Sequence, residues 1–129
     1  MSPETKIQQA KLLMEKALGA LEAGQPDKAV ELCDQSLKLR RTARTLLLRA
    51  QALQKLDRVD DALASVSDAN LVYLQSEGRD FPAGWDMKGK ILWAAGRYDD
   101  ARAAFQHFLE LEPTGAAAAE ARRRLEEPR

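Results

Sequence analysis

Residues 85–101 read Trp85-Asp86-Met87-Lys88-Gly89-Lys90-Ile91-Leu92-Trp93-Ala94-Ala95-Gly96-Arg97-Tyr98-Asp99-Asp100-Ala101, and the pattern runs on through Phe105 and Phe108 to Pro113. At its centre a turn is followed by acid and then alanine, Gly96-Arg97-Tyr98-Asp99-Asp100-Ala101. The same order recurs at Gly24-Gln25-Pro26-Asp27-Lys28-Ala29 and at Asp57-Arg58-Val59-Asp60-Asp61-Ala62. The alanines at 29, 62 and 101 lie 33 and 39 residues apart, the second interval lengthened by a loop around Ser76-Glu77-Gly78-Arg79-Asp80. Twelve residues before each alanine stands another small residue: Ala17, Ala50 and Gly89. Antiparallel helices joined by a tight turn approach closely only where the facing side chains are small. Ala17/Ala29, Ala50/Ala62 and Gly89/Ala101 supply that contact three times, so the chain is expected to fold as three stacked helical hairpins.

Composition agrees. Ala and Leu contribute 22 and 19 of the 129 residues, against 10 for Val, Ile and Thr together, which favours helix over strand throughout. A chain of this length is one small domain or one short array. Twenty basic residues balance twenty acidic ones, so the blanket positive field of a nucleic-acid binder is missing and a protein or peptide partner is expected instead. Cys33 is the single cysteine, which precludes an internal disulfide and suits a reducing compartment. No apolar run has the length of a signal or a membrane span, so a soluble, cytoplasmic protein is expected.

Caps and periodicity set the helices. Ser2-Pro3-Glu4 has the order of an N-cap, a first-turn proline and a dipole-complementing acid, and Ile7, Leu13, Met14, Leu18 and Leu21 keep helical spacing. Helices are predicted over 3–23, 26–39, 43–56, 59–76, 82–95 and 98–111. The acids at the second-helix starts and the bases Lys38, Arg40 and Arg41 at a second-helix end suit the helix dipole. An Ala-rich helix over 115–127, with a polar outer face of Glu120, Arg122, Arg123, Arg124, Glu126 and Glu127, is expected to cap the array. Residues 1–129 then form one domain, with repeats at 3–41, 42–77 and 81–113 before the capping helix.

The third unit, with Trp85, Gly89, Tyr98, Ala101, Phe105, Phe108 and Pro113 at these offsets, resembles the tetratricopeptide repeat, and a looser likeness extends over residues 10–115. The resemblance implies an all-α, right-handed α-solenoid of three hairpins plus the cap. It also implies a non-enzymatic adaptor or scaffold that holds a partner peptide or helix in a concave groove. Departures are concentrated in the first two units: Leu13 and Leu46 replace Trp85, Cys33 and Val66 replace Phe105, Pro26 stands for Tyr98, and Arg41 and Leu74 stand for Pro113. Leaner cores and an extended fourth helix are expected there.

Carrying over the family's groove positions gives Lys11, Met14, Leu18, Leu21 and Glu22 from the first unit. The second contributes Arg44, Leu47, Gln51, Gln54 and Lys55, and the third Asp86, Lys90, Trp93 and Ala94. The functional reading is an apolar floor of Met14, Leu18, Leu47 and Trp93 edged by Arg44, Gln51, Gln54, Lys55 and Lys90, with Trp93 as anchor. The competing reading packs these apolar residues between neighbouring first helices, with Trp93 covering the C-terminal helix. Chaperone adaptors of this family grip a terminal carboxylate with Lys, Asn and Arg. The matching positions here are Met14, Leu18, Leu48, Ala83 and Met87, none of them polar, so carboxylate-clamp binding is not expected.

Signals for chemistry are sparse. His107 is the single histidine, and Cys33 occupies a core position, so neither points to a metal or a nucleophile. Asp60-Asp61 and Asp99-Asp100 are accounted for by helix N-termini. No phosphate loop, nucleophile elbow or paired-histidine motif is present, and neither an enzyme nor a cofactor is expected. Two neighbouring readings remain: a small secretion-type chaperone holding an unfolded segment, and a self-associating assembly subunit, a homo-oligomer.

Overall fold

The three turns explain the architecture. In the computed structural model, which describes residues 1–127, Gly24, Asp57 and Gly96 take left-handed φ values of 77°, 60° and 79°. Immediately after them, Gln25 N–H donates to Ala20 O (2.8 Å), Arg58 N–H to Leu53 O (2.9 Å) and Arg97 N–H to Leu92 O (2.9 Å). Each first helix therefore ends in the same left-handed closure, in which glycine is favoured and aspartate is tolerated. The helices that result are α1 (Pro3–Glu22), α2 (Pro26–Leu39), α3 (Ala43–Lys55), α4 (Val59–Glu77), α5 (Pro82–Ala94), α6 (Tyr98–Leu111) and α7 (Ala116–Glu126). Every boundary lies within one residue of the sequence expectation, and no strand occurs among the described residues. Ser2 Oγ accepts the Thr5 N–H (3.2 Å) to open α1, and Thr42 Oγ1 accepts the Thr45 N–H (3.2 Å) to open α3.

Each helix packs on the next, α1 on α2 through to α6 on α7, in an all-α right-handed solenoid. Ala17, Ala29, Ala50, Ala62 and Ala101 are fully buried; Ala50 and Ala62 share one cluster, whereas Ala17 groups with Cys33 and Ala29 with Ala20. The third crossing needs a correction. The atoms nearest to Gly89 belong to the Phe105 ring, not to Ala101, and a Cβ placed on Gly89 would stand 2.5 Å from Phe105 Cε1. A second close approach, between α4 and α5, sets Gly84 against Asn70, whose Oδ1 would lie 1.7 Å from an added Cβ.

Core volume grows along the array. Only alanines of α1 are buried (Ala10, Ala17 and Ala20), packed with Cys33 and Leu48 nearby. The middle core gathers Leu53, Val66, Met87 and Ile91, and the third has Leu92, Phe105 and Phe108 with Ala118 and Ala121 of α7. The lean first hairpin is held partly by a hydrogen bond, as Ser36 Oγ of α2 donates to Ala10 O (2.7 Å). Ser65 Oγ of α4 donates likewise to Leu46 O (2.7 Å). The overhanging end of α4 is fixed by Tyr73 stacked on Phe81, centroids 4.3 Å apart.

Candidate interaction groove

Neighbouring first helices touch directly, α1 with α3 and α3 with α5, and they approach more closely than the second helices do. The array therefore curves with α1, α3 and α5 on its inner side.

Three hollows lie along these helices. The first, about 280 Å³, is formed where α1 faces the α2–α3 junction, and Met14 and Arg44 meet there. A second, about 440 Å³, contains Arg44 and Leu47 beside Tyr73 and Phe81. The third, about 350 Å³, brings Gln54 and Lys55 against Ile91 and Ala94. Met14 is half-buried against the Ala17–Cys33–Leu48 cluster and Leu47 against the middle core, so each gives one flank to the fold and one to the hollow. Leu18 is 45 % exposed on the same inner helix, and Gln51 is half-buried on α3.

The end formed by the third repeat is more committed to internal contacts. Asp86 and Lys90 pair with one another at 3.2 Å along α5. Trp93 is half-buried, edge-on to Tyr98 with centroids 4.9 Å apart, near Phe105 and beneath the Arg102 guanidinium at 5.9 Å. Its indole thus packs in part on α6 beside the third core. Residues that the groove positions did not include are Ile7, Ala10 and Arg40 in the first hollow and Tyr73 and Phe81 in the second.

Burial pushes the Cys33 thiol up from its ordinary value near 9 to about 12, assisted by the Asp34 carboxylate and opposed by the Arg49 guanidinium. Such a thiol is inert at neutral pH and serves as a small core side chain. His107 Nε2 lies 3.2 Å from Asp80 Oδ2 and its ring packs 4.2 Å from Trp85, which ties the α4–α5 loop to α6. Among the described residues no three His, Cys, Asp or Glu side chains converge as a metal site, and no helix is long and apolar enough to cross a membrane.

A sequence profile of the tetratricopeptide repeat matches residues 82–114. No curated protein sequence matches the chain. Among solved structures, the TPR domain of Arabidopsis OM64 is similar at TM-score 0.80 and 26 % identity, over 93 % of this chain and 96 % of that one. The second TPR domain of human RPAP3, solved in complex with the HSP70 peptide SGPTIEEVD, is similar at TM-score 0.78 and 18 % identity over 98 % and 100 %. The Sgt2 TPR domain from Aspergillus fumigatus gives 0.73 and 20 % over 93 % and 85 %. The third hairpin thus carries the tetratricopeptide repeat pattern, and the fold running from α1 to α7 is that of solved TPR domains.

Proposed function

We propose that the chain is a non-enzymatic interaction module, an adaptor or scaffold, that holds a segment of a partner protein along the inner face of α1, α3 and α5. The observation that carries this reading is the row of three hollows, each combining an apolar floor with polar groups at its edge. A similarly folded domain, the second of human RPAP3, holds a peptide, which supports the same use of the architecture here. The mode of capture is different in this reading. Leu48 and Met87 are buried at 8 % exposure each, and Met14, Leu18 and Ala83 likewise lack a charge for a terminal carboxylate, so the partner is gripped along its length. A lone buried thiol suits a reducing cytoplasm, where this reading places the module.

The test is site-specific photo-crosslinking in cells that express the full chain. A photoreactive amino acid replaces Leu18 or Gln51 on the inner helices, or the exposed Ala64 or Ala103 on the second helices. The same polypeptide is expected to crosslink from both inner positions and from neither outer one. Crosslinks confined to Ala64 or Ala103 would move the interaction off the inner face.

A further inference from the structure

We propose that the hollow between α1 and the α2–α3 junction is a basic-rimmed socket for an acidic amphipathic segment of a partner protein. A large apolar side chain of that segment sits on Ile7, Ala10 and Met14, and carboxylates on either side of it meet Lys11, Arg40 and Arg44. This names the partner chemistry of the inner-face reading above and rests on that reading.

The socket's chemistry is one-sided. Its neutral polar groups are already engaged: Ser36 Oγ donates to Ala10 O at 2.7 Å, and the Thr42 and Thr45 hydroxyls bond to each other at 2.9 Å. No acidic residue lines it, and Lys11, Arg40 and Arg44 form no ion pair within the described residues. Those three cations are the groups with hydrogen-bonding capacity to spare. Their state contrasts with that of Arg49, Arg58, Arg97, Arg102 and Arg124, each held by a carboxylate at 2.7–3.2 Å. Arg41, next along the chain, is also held, 3.4 Å from Asp68.

Arg40 and Arg44 are shared with the second hollow, whose apolar wall is Leu47, Val72, Tyr73 and Phe81 and whose one acid is Glu77. A ligand crossing from one hollow to the other passes over the two arginines, so its complement is a segment in which apolar residues flank a run of acids or acids flank an apolar residue. Arginine forks match carboxylates bidentately, and the excess positive charge favours encounter with an acidic segment over a basic one. Desolvating the apolar side chain on the 42 % exposed Ile7 and on Met14 supplies the non-directional part of the affinity.

Fluorescence polarisation with the purified full chain tests this directly. The probes are labelled dodecapeptides, blocked at both ends, with a central Phe and Leu among glutamates; in two counterparts the glutamates become glutamine or lysine. The glutamate peptide is expected to bind at least about tenfold more tightly than the glutamine one, and the lysine peptide not to bind. In Arg40→Glu/Arg44→Glu, whose exposed positions leave helicity unchanged by circular dichroism, the preference is expected to invert toward lysine. Equal binding of all three peptides overturns the proposal. So does glutamate-peptide binding that survives the charge reversal, binding that needs a free C-terminal carboxylate, or displacement of the peptide by an equal concentration of single-stranded oligonucleotide. Absence of binding by every peptide also overturns it. If Leu18 and Gln51 still crosslink a partner in that case, the inner-face reading stands and only the acidic chemistry falls; if they do not, both fall.

Discussion

Gly89 of α5 and Phe105 of α6 pack so closely that a Cβ on the glycine would lie 2.5–2.8 Å from three ring carbons. Both residues are buried, the ring completely, so the aromatic side chain can withdraw only by displacing the core around it. Gly89→Ala gains about 1 kcal/mol of helix propensity but forces overpacking that costs about 1–3 kcal/mol, and Gly89→Leu costs more. Urea unfolding followed at the helical circular-dichroism band is expected to show a net loss for Ala and a larger one for Leu. Gly19, helical with open space around its Cβ position, is the control, where Ala is expected to stabilise by about 0.5–1 kcal/mol. An unchanged midpoint for Gly89→Leu would remove the close packing on which the third hairpin is argued to depend.

In the first hairpin a hydroxyl supplements the sparse side-chain packing. Ser36 Oγ is buried and donates to Ala10 O at 2.7 Å, linking α2 to the early turns of α1, where few large side chains are buried. Ser36→Ala is expected to lower stability by about 1 kcal/mol. Hydrogen exchange should show the loss concentrated in α1 and not shared by α5 and α6, because contacts in an array are made with neighbouring repeats. Uniform loss of protection across all seven helices would show instead that the array unfolds as one unit.

What was legible in the sequence was local, and what was not depends on how one hairpin is rotated against the next. The turn at Gly96 and its counterparts at Gly24 and Asp57 announce themselves through residue type at fixed spacing, because left-handed backbone followed by an acidic helix start is a short-range requirement. The Gly84–Asn70 approach and the Tyr73–Phe81 stack have no such signature, since they arise where α4 crosses toward α5. Arg40 and Arg41 read identically as bases at a helix end. Only the placement of Asp68 on α4 decides that Arg41 is held while Arg40 is left for the socket. The Asp86–Lys90 pair is different: its i,i+4 spacing was visible in the sequence, and it shows why two groove positions can satisfy each other.

Cys33 makes a prediction about pH. Its thiol is held protonated to about 12 in the folded chain, against an ordinary value near 9 once unfolded. Below the lower value both states carry the proton and the stability contribution is constant. As pH rises above it the unfolded chain ionises first, so folding stability is expected to fall through the window between the two values. Urea midpoints should decline with alkaline pH more steeply in the wild type than in Cys33→Ala, and equal slopes would contradict the burial argument. Under native conditions at about pH 8 the thiol is expected to resist iodoacetamide, reacting once urea exposes it.

Trp93 decides how far the ligand-bearing face extends. Its edge-on contact with Tyr98 and its place over Phe105 make it a structural residue, while its half-exposed surface at the end of α5 leaves part of the indole for a partner. Trp93→Ala is expected to keep the helical spectrum but lose about 2 kcal/mol of stability, less than a fully buried Trp would cost. Binding of the partner captured at Leu18 and Gln51 is expected to weaken by about 2 kcal/mol as well. Trp93→Phe separates the two effects, because a benzene ring can still meet Tyr98 edge-on and cover Phe105 while presenting less surface and no indole N–H. Stability that returns with Phe while binding stays weak places the indole in the interface. Recovery of both together would assign Trp93 to the third core and end the groove before α5 does.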